Sequence, residues 1–269
     1  MEIIAWLKLL LVGIVQGLTE PLPISSSGHM VLMQYFLDLP IDSLFLEIVL
    51  NFASLIAIVI FFRKRLWYVI HGTIRYLIRR EAADLPAFRF MVLIVIGTIP
   101  AGIGGLLFGS LLASLLSLLT VGLALLVTGS FLLLVHRHSL TNTRETLTIK
   151  DALFVGAFQV ISLLPGISRS GATVTGGLLK RLRFETVFEF SFMLYIPISI
   201  AAMGYELYGL SDGLQYDLLQ LLAAFIATTI TTYIALKFFL FSVKSGYLKY
   251  FSWYCYGVGT LSIMLYILS

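Results

Sequence analysis

The chain has 269 residues, 59% of them hydrophobic and only 12% charged, with a formal net charge of +4. Soluble domains carry about 25% charged residues, so a water-soluble globular fold is excluded, and the small positive excess is no nucleic-acid footprint. The single cysteine, Cys255, can form neither an internal disulfide nor a thiolate metal cluster and reads as a packing residue.

In chain order, residues 3–19 are apolar and run into a polar, proline-bearing stretch, GLTEPLPISSSGHM at 17–30. The acidic Glu2 and the absence of a basic start argue against a cleaved leader. Residues 30–37 are apolar again but too short to cross a bilayer. A span is expected at about 43–62, then a basic stretch from Arg63 to Arg89. Residues 90–135 contain no Asp, Glu, Lys, Arg or His. At about 1.5 Å per residue they reach roughly 69 Å, or two crossings of a ~30 Å hydrocarbon core. The division is expected near Gly109, and Pro100 with Gly102, Gly104 and Gly105 reads as close helix packing or a kink. A polar linker, His136 to Asp151, leads into a second apolar, broken, apolar stretch holding PGISRSG at 165–171. Three further spans fit at about 186–207, 217–241 and 250–268. No alternating ten-residue strands suggest a β-barrel.

The two breaks are related. Shifting the chain by 143 residues brings Gly13 onto Gly156, Gln16 onto Gln159, Thr19 onto Ser162, Ile24 onto Ile167, Ser25 onto Ser168, Ser27 onto Ser170 and Gly28 onto Gly171. Each copy is a broken element followed by three spans, 1–135 with its hairpin at about 3–37 and 150–269 with its hairpin at about 151–182. An odd number of crossings per copy inverts the second copy relative to the first, as in transporter-like folds. If each broken element is a re-entrant hairpin, every Lys and Arg except Lys8 and Arg169 falls on one side. That is the positive-inside signature. The fold expected is therefore all-α integral membrane: one domain, 1–269, of six transmembrane helices plus two re-entrant hairpins in inverted-topology repeats. Both termini face out of the cytoplasm.

Irregular backbone at membrane depth survives only where protein buries it or water reaches it. Pro21, Pro23 and Pro165 break the helices, and Gly28, Gly166 and Gly171 allow close approach. Helices starting after each break aim their free N–H groups at a shared cavity, which suits an anion. Arg169 adds a planar, always charged fork suited to phosphate. An intramembrane charge costs about 2.5–3.5 kcal/mol on insertion scales, so a bare salt bridge with Glu20 is the weaker account. Glu20 is a candidate acid, base or metal ligand, with a plain helix cap as the bland reading. His29, beside it and Ser26, is a candidate for chemistry. Ser25, Ser26, Ser27 and Ser168 are all candidate helix caps, and one of them is expected to serve as such. Glu47 and Glu189 either line the cavity or merely start their helices.

GLTEPLPISSSGH and PGISRSG resemble the two signature motifs of the undecaprenyl-diphosphatase, or bacitracin-resistance, family, and the likeness extends over nearly the whole chain. It implies a bacterial plasma-membrane phosphatase that converts undecaprenyl diphosphate to undecaprenyl phosphate and phosphate. Its site would open to the outer face and serve cell-wall synthesis. By motif, the catalytic set falls on Glu20, Ser26, His29 and Arg169. Ser25, Ser27, Gly28, Ser168, Ser170, Gly171 and Thr173 form the substrate-binding set. Ser26, His29 or water could attack, with Glu20 in support. Glu20 is also the candidate ligand for Mg²⁺ or Ca²⁺, and no organic cofactor is expected. Some family members carry a glutamate where this chain has Gln16, which puts a two-carboxylate metal site in doubt, and Pro21 replaces a common aromatic residue. The partners expected are a polyprenyl diphosphate, the bilayer and, as an open question, a second copy in a homodimer, with no nucleic acid. A polyprenyl-phosphate flippase without hydrolysis is the alternative. An acid-phosphatase-like site is disfavoured because no histidine follows Arg169.

Overall fold

The computed structural model describes residues 2–38, 44–209 and 217–269, and among them there is no β-strand. The helices are α1 (Glu2–Thr19), α2 (Ser26–Leu37), α3 (Leu44–Phe61), α4 (Arg63–Arg79), α5 (Leu85–Ser114), α6 (Leu118–Val135), α7 (His138–Thr141), α8 (Ile149–Ile161), α9 (Arg169–Leu179), α10 (Phe184–Gly209), α11 (Leu218–Lys244) and α12 (Leu248–Leu268). Five of them, α5, α6, α10, α11 and α12, are long and apolar enough to cross a membrane. The pair α3 and α4, bent by 75°, makes a sixth if counted as one span. This is a multi-pass membrane protein.

Three expectations need correction. The basic stretch after residue 62 is not a loop: α4 is an amphipathic helix that buries Val69 and Gly72. Gly72 lies so close to Ala87 of α5 that a methyl group there would come within 2.6 Å of it. The charge-free run divides at Leu115–Ser117, not at Gly109, because Ser117 caps α6 by accepting from the Thr120 N–H at 3.1 Å. Gly102 and Gly105 make no close contact, and of that group only Gly104 is packed, against Leu163 and Val160. The expected outer loop around Asp212 lies outside the described residues.

Lipid tails are as apolar as leucine, so helices in a bilayer associate through close packing and shared hydrogen bonds. Small residues provide both here. A methyl on Gly13 of α1 would meet Ala224 O of α11 at 2.6 Å, and one on Gly156 of α8 would meet Gly97 O of α5 at 2.4 Å. Gly122 of α6 and Gly259 of α12 face each other reciprocally, each 2.8 Å from the other's carbonyl by the same measure. Hydroxyls reinforce these seams: Thr228 donates to Gly13 O at 2.8 Å, Ser252 to Gly129 O at 2.6 Å and Ser262 to Leu118 O at 2.7 Å. At the centre α9 is buried from Ser170 to Leu178. Its glycines admit large neighbours, Phe158 against Gly176 and Val187 against Gly177.

The two ends of the α8–α9 hairpin are tied together. Arg144 donates to both oxygens of Asp151, at 2.8 and 2.9 Å, and to Lys180 O. Burial opposes ionisation of Asp151, but the hydrogen bonds from Arg144 and Thr148 outweigh it and hold the carboxyl below its ordinary range.

Gly156→Ala should push α8 off α5 and destabilise the protein by about 1–3 kcal/mol, read as a lower Tm in detergent. Gly102→Ala, in open surroundings, should leave Tm unchanged or raise it. Equal Tm values for wild type and Gly156→Ala would show that the α5–α8 seam does not depend on that glycine.

Candidate active site

Both breaks end in a serine that caps the helix after it. The Glu20 N–H makes the last bond of α1, to Gln16 O at 2.9 Å, and Pro21 and Pro23 then offer no donor. Ser25 takes a positive φ of 67° and caps α2 by accepting from the Gly28 N–H at 3.2 Å. In the second break, Gly166 turns the chain at φ 91°, and Ser168 caps α9 by accepting from the Gly171 N–H at 3.1 Å. The two capping serines are 143 residues apart, the repeat offset.

The breaks satisfy each other's backbone. The Gly166 N–H donates to Ser27 Oγ at 3.3 Å, and Ser170 Oγ donates to Leu22 O at 3.0 Å. The Ser168 N–H donates to Thr128 Oγ1 of α6 at 3.1 Å. Ser27 and Ser170, again one repeat apart, thus serve as mutual backbone partners. Thr173 is fully buried below the site, bonded to Arg169 O at 2.8 Å and to Ser191. Gly28 and Gly171 supply cap donors, with Gly28 packed on Val121.

Between the breaks lies a cavity of about 670 Å³, within the usual range for a ligand site. Glu20, Ser26 and Arg169 meet there. Arg169 Nη2 is paired with Glu20 Oε1, and Ser26 Oγ donates to Glu20 Oε2. Gln16 Nε2 donates to the same oxygen at 3.1 Å and to Asn51 Oδ1 at 2.8 Å. Arg169 also donates to Ser199 Oγ at 3.2 Å and lies 3.6 Å from the centre of the Tyr195 ring. Desolvated cation–π pairs of this kind are worth about 2 kcal/mol. The guanidinium is thus held flat and aimed, with donors left over for a ligand.

His29 is turned the other way. Its Nδ1 is 2.7 Å from Ser25 O and its Nε2 2.7 Å from the hydroxyl of Tyr254 on α12, with the two rings stacked. A carbonyl only accepts, so the proton belongs on Nδ1 and Nε2 accepts from Tyr254. Glu47 lines the cavity, whereas Glu189 pairs with Arg65 at 2.6 Å.

Sequence reasoning missed Asn51, Tyr195, Ser199, Tyr254 and Gln159. The repeat offset flags Gln159, and a lone amide in an apolar helix flags Asn51. Gln159 is buried and lines the cavity, and no protein group among the described residues meets either end of its amide. Leaving such a group unmet costs about 1–3 kcal/mol.

The class so defined is a polytopic helical membrane protein whose two helix breaks meet at a cavity that holds Glu20, Ser26 and Arg169. Residues 9–261 match the family described as bacitracin resistance protein BacA, and the chain belongs to that family. It is 40% identical over 261 residues to undecaprenyl-diphosphatase 1 of Bacillus cereus, which spans 96% of this chain and 97% of that one. It is 39% identical over 268 residues to undecaprenyl-diphosphatase 1 of Halalkalibacterium halodurans, 97% of each. Undecaprenyl-diphosphatase of Oceanobacillus iheyensis is 36% identical over 257 residues, 94% of each.

Ser168→Ala should cost about 1 kcal/mol through the lost cap, measured as a lower Tm. Glu20→Gln keeps the shape but removes the charge facing Arg169. Phosphate release should then fall at least ~10²-fold in kcat/KM, or about 2.7 kcal/mol. Near-normal turnover would remove the carboxylate from the chemistry.

Proposed function

We propose that the chain hydrolyses undecaprenyl diphosphate to undecaprenyl phosphate and phosphate, recycling the lipid carrier of cell-wall polymers. One observation carries this reading: Arg169, Glu20 and Ser26 form a single hydrogen-bonded chain at the joint of the two breaks. It occurs in a family whose curated relatives are named undecaprenyl-diphosphatases.

Phosphoryl transfer depends mainly on positioning and on charge stabilisation. Arg169 and the N-terminus of α9 hold the phosphoryl oxygens. Ser26 Oγ attacks the terminal phosphorus while its proton passes to Glu20. The bond to the bridging oxygen breaks, and undecaprenyl phosphate leaves with the proton that Glu20 hands to its departing oxygen, so that Glu20 is again a carboxylate. Water, deprotonated by Glu20, then cleaves the phosphoserine and releases phosphate. His29, bonded to Ser25 O and Tyr254, supports the break in this scheme and does not attack. Among the described residues no group of three or more His, Cys, Asp or Glu could hold a metal. Glu20 is already bonded to Arg169, Ser26 and Gln16. On this reading Glu20 is engaged by protein donors, and no step above runs through a cation.

The membrane arrangement follows the same reading: six spans, two re-entrant hairpins and an inverted repeat. Supporting it, α1 packs on α11 while α8 packs on α5, the exchange expected when each hairpin docks on the other copy. Helices α2, α8 and α9, of 12, 13 and 11 residues, are each too short for a ~30 Å core at about 1.5 Å per residue. The cavity is lined by Glu47 near the start of α3, Leu112 and Leu116 around the end of α5, and Met203 late in α10. Those ends are opposite the basic ends of the same helices, which supports an outward-facing site in the bacterial plasma membrane.

Purified protein in detergent should release phosphate from undecaprenyl diphosphate; transport of the lipid without release would favour a flippase. Arg169→Lys keeps the charge but loses the fork. A loss of at least ~10² in kcat/KM is expected, about 2.7 kcal/mol; wild-type turnover would exclude the fork.

Topology is testable on a Cys255→Ser background. An impermeant maleimide should label Ser269→Cys in intact cells and leave Arg75→Cys unlabelled until the cells are opened. Equal labelling would reverse or break the assignment.

A further inference from the structure

Gln159 and Tyr195 are the cavity-lining side chains with buried polar atoms that lack a partner among the described residues, and only in Gln159 are a donor and an acceptor both unmet. It is 1% exposed, and both Nε2 and Oε1 are without a partner among the described residues. Its repeat mate Gln16 shows what such an amide does when supplied with neighbours, bonding Glu20 at 3.1 Å and Asn51 at 2.8 Å. The offset of 143 residues puts Leu163 at the place of Glu20 and Leu194 at the place of Asn51. The second copy therefore keeps the amide and has lost both of its partners. Leucine side chains at those two places offer the amide no hydrogen bond.

We propose that Gln159 is a substrate-binding residue, its amide meeting the diphosphate headgroup across the cavity from Glu20. The proposal rests on the phosphatase reading above. An amide carries two N–H donors and one acceptor oxygen. A diphosphate monoester offers non-bridging oxygens for the donors and, when singly protonated, a P–O–H for the acceptor. Both ends of Gln159 are met by that one group, without adding charge beside Arg169. The amide remains unmet in the empty site because its partner arrives with the lipid.

The test uses the full-length protein in detergent and a hydrolysis-resistant probe, farnesyl methylenediphosphonate, titrated calorimetrically. Gln159→Met fills the same volume without polar atoms. It should weaken probe binding by about tenfold and raise KM similarly, with kcat nearly unchanged and Tm equal to or above wild type. A merely structural residue would not combine weaker binding with undiminished stability. Gln159→Glu, which turns a carboxylate toward the phosphates, should weaken binding further, and it carries the test should the methionine variant fail to fold. Unchanged probe affinity with a lower Tm would overturn the proposal in favour of a packing role. A fall in kcat alone would overturn it in favour of an amide that positions the attacking water. Arg169→Ala separates the two levels. If it abolishes probe binding while Gln159→Met does not, only the Gln159 assignment fails. If neither variant alters binding, the cavity is not the headgroup site and the phosphatase reading of it fails as well.

Discussion

A helix broken inside a membrane protein exposes N–H and C=O groups that cannot turn to lipid, and each unsatisfied group costs several kcal/mol. This protein meets that constraint by setting one break against the other. Ser27 serves Gly166, Ser170 serves Leu22, and Thr128 serves Ser168. Everything at the site depends on this joint. Glu20 ends α1 and Arg169 begins α9, so the ion pair between them exists only where the breaks meet. Removing either partner would leave a charge in a poorly solvated place, which is costlier than never having built the pair. The pair thus fixes the joint as well as the chemistry.

The serines of the joint are paired across the repeat, and the charged residues are not. Matching positions Ser25 and Ser168 cap helices, and Ser27 and Ser170 bridge the breaks. At the offset of 143 residues, Ser26 corresponds to Arg169, Glu20 to Leu163 and Asn51 to Leu194. One copy thus carries the carboxylate and the hydroxyl beside it, the other the cation. The hydrolysis proposed above draws on both halves, the cation from one and the base from the other.

Much of this is legible in the sequence because polar and proline residues are so constrained in lipid. Pro21, Pro23 and Pro165 locate the breaks, and the 143-residue match pairs them. Helix α4 is not legible as packed structure: it is basic and amphipathic, and the residue that fixes it, Gly72, does so through contact with Ala87. The end of α5 is also misplaced by sequence, since Gly109 is tolerated in open surroundings while the real punctuation is the cap at Ser117. The repeat offset flags Gln159, but that its amide has no partner among the described residues is a tertiary fact.

The direction of His29 is the least legible feature, and it changes the account of the first motif. Residues at 26 and 29 lie one helical turn apart and would ordinarily share a face. Here the imidazole swings to Tyr254, 225 residues away in sequence. What it does there follows from Ser25. A non-glycine residue at φ 67° is strained by about 1–3 kcal/mol and persists only where its surroundings over-determine it. Its hydroxyl accepts from the Gly28 N–H and meets Ser27 Oγ at 3.3 Å, and its carbonyl accepts from the His29 N–H at 3.3 Å and from the His29 ring. Tyr254 in turn fixes the ring. The strained turn is what starts α2 with Ser26 facing Glu20, since a relaxed Ser25 would redirect the helix and part the hydroxyl from the carboxylate. In this geometry the histidine is bonded to the backbone just before Ser26, whose hydroxyl meets Glu20.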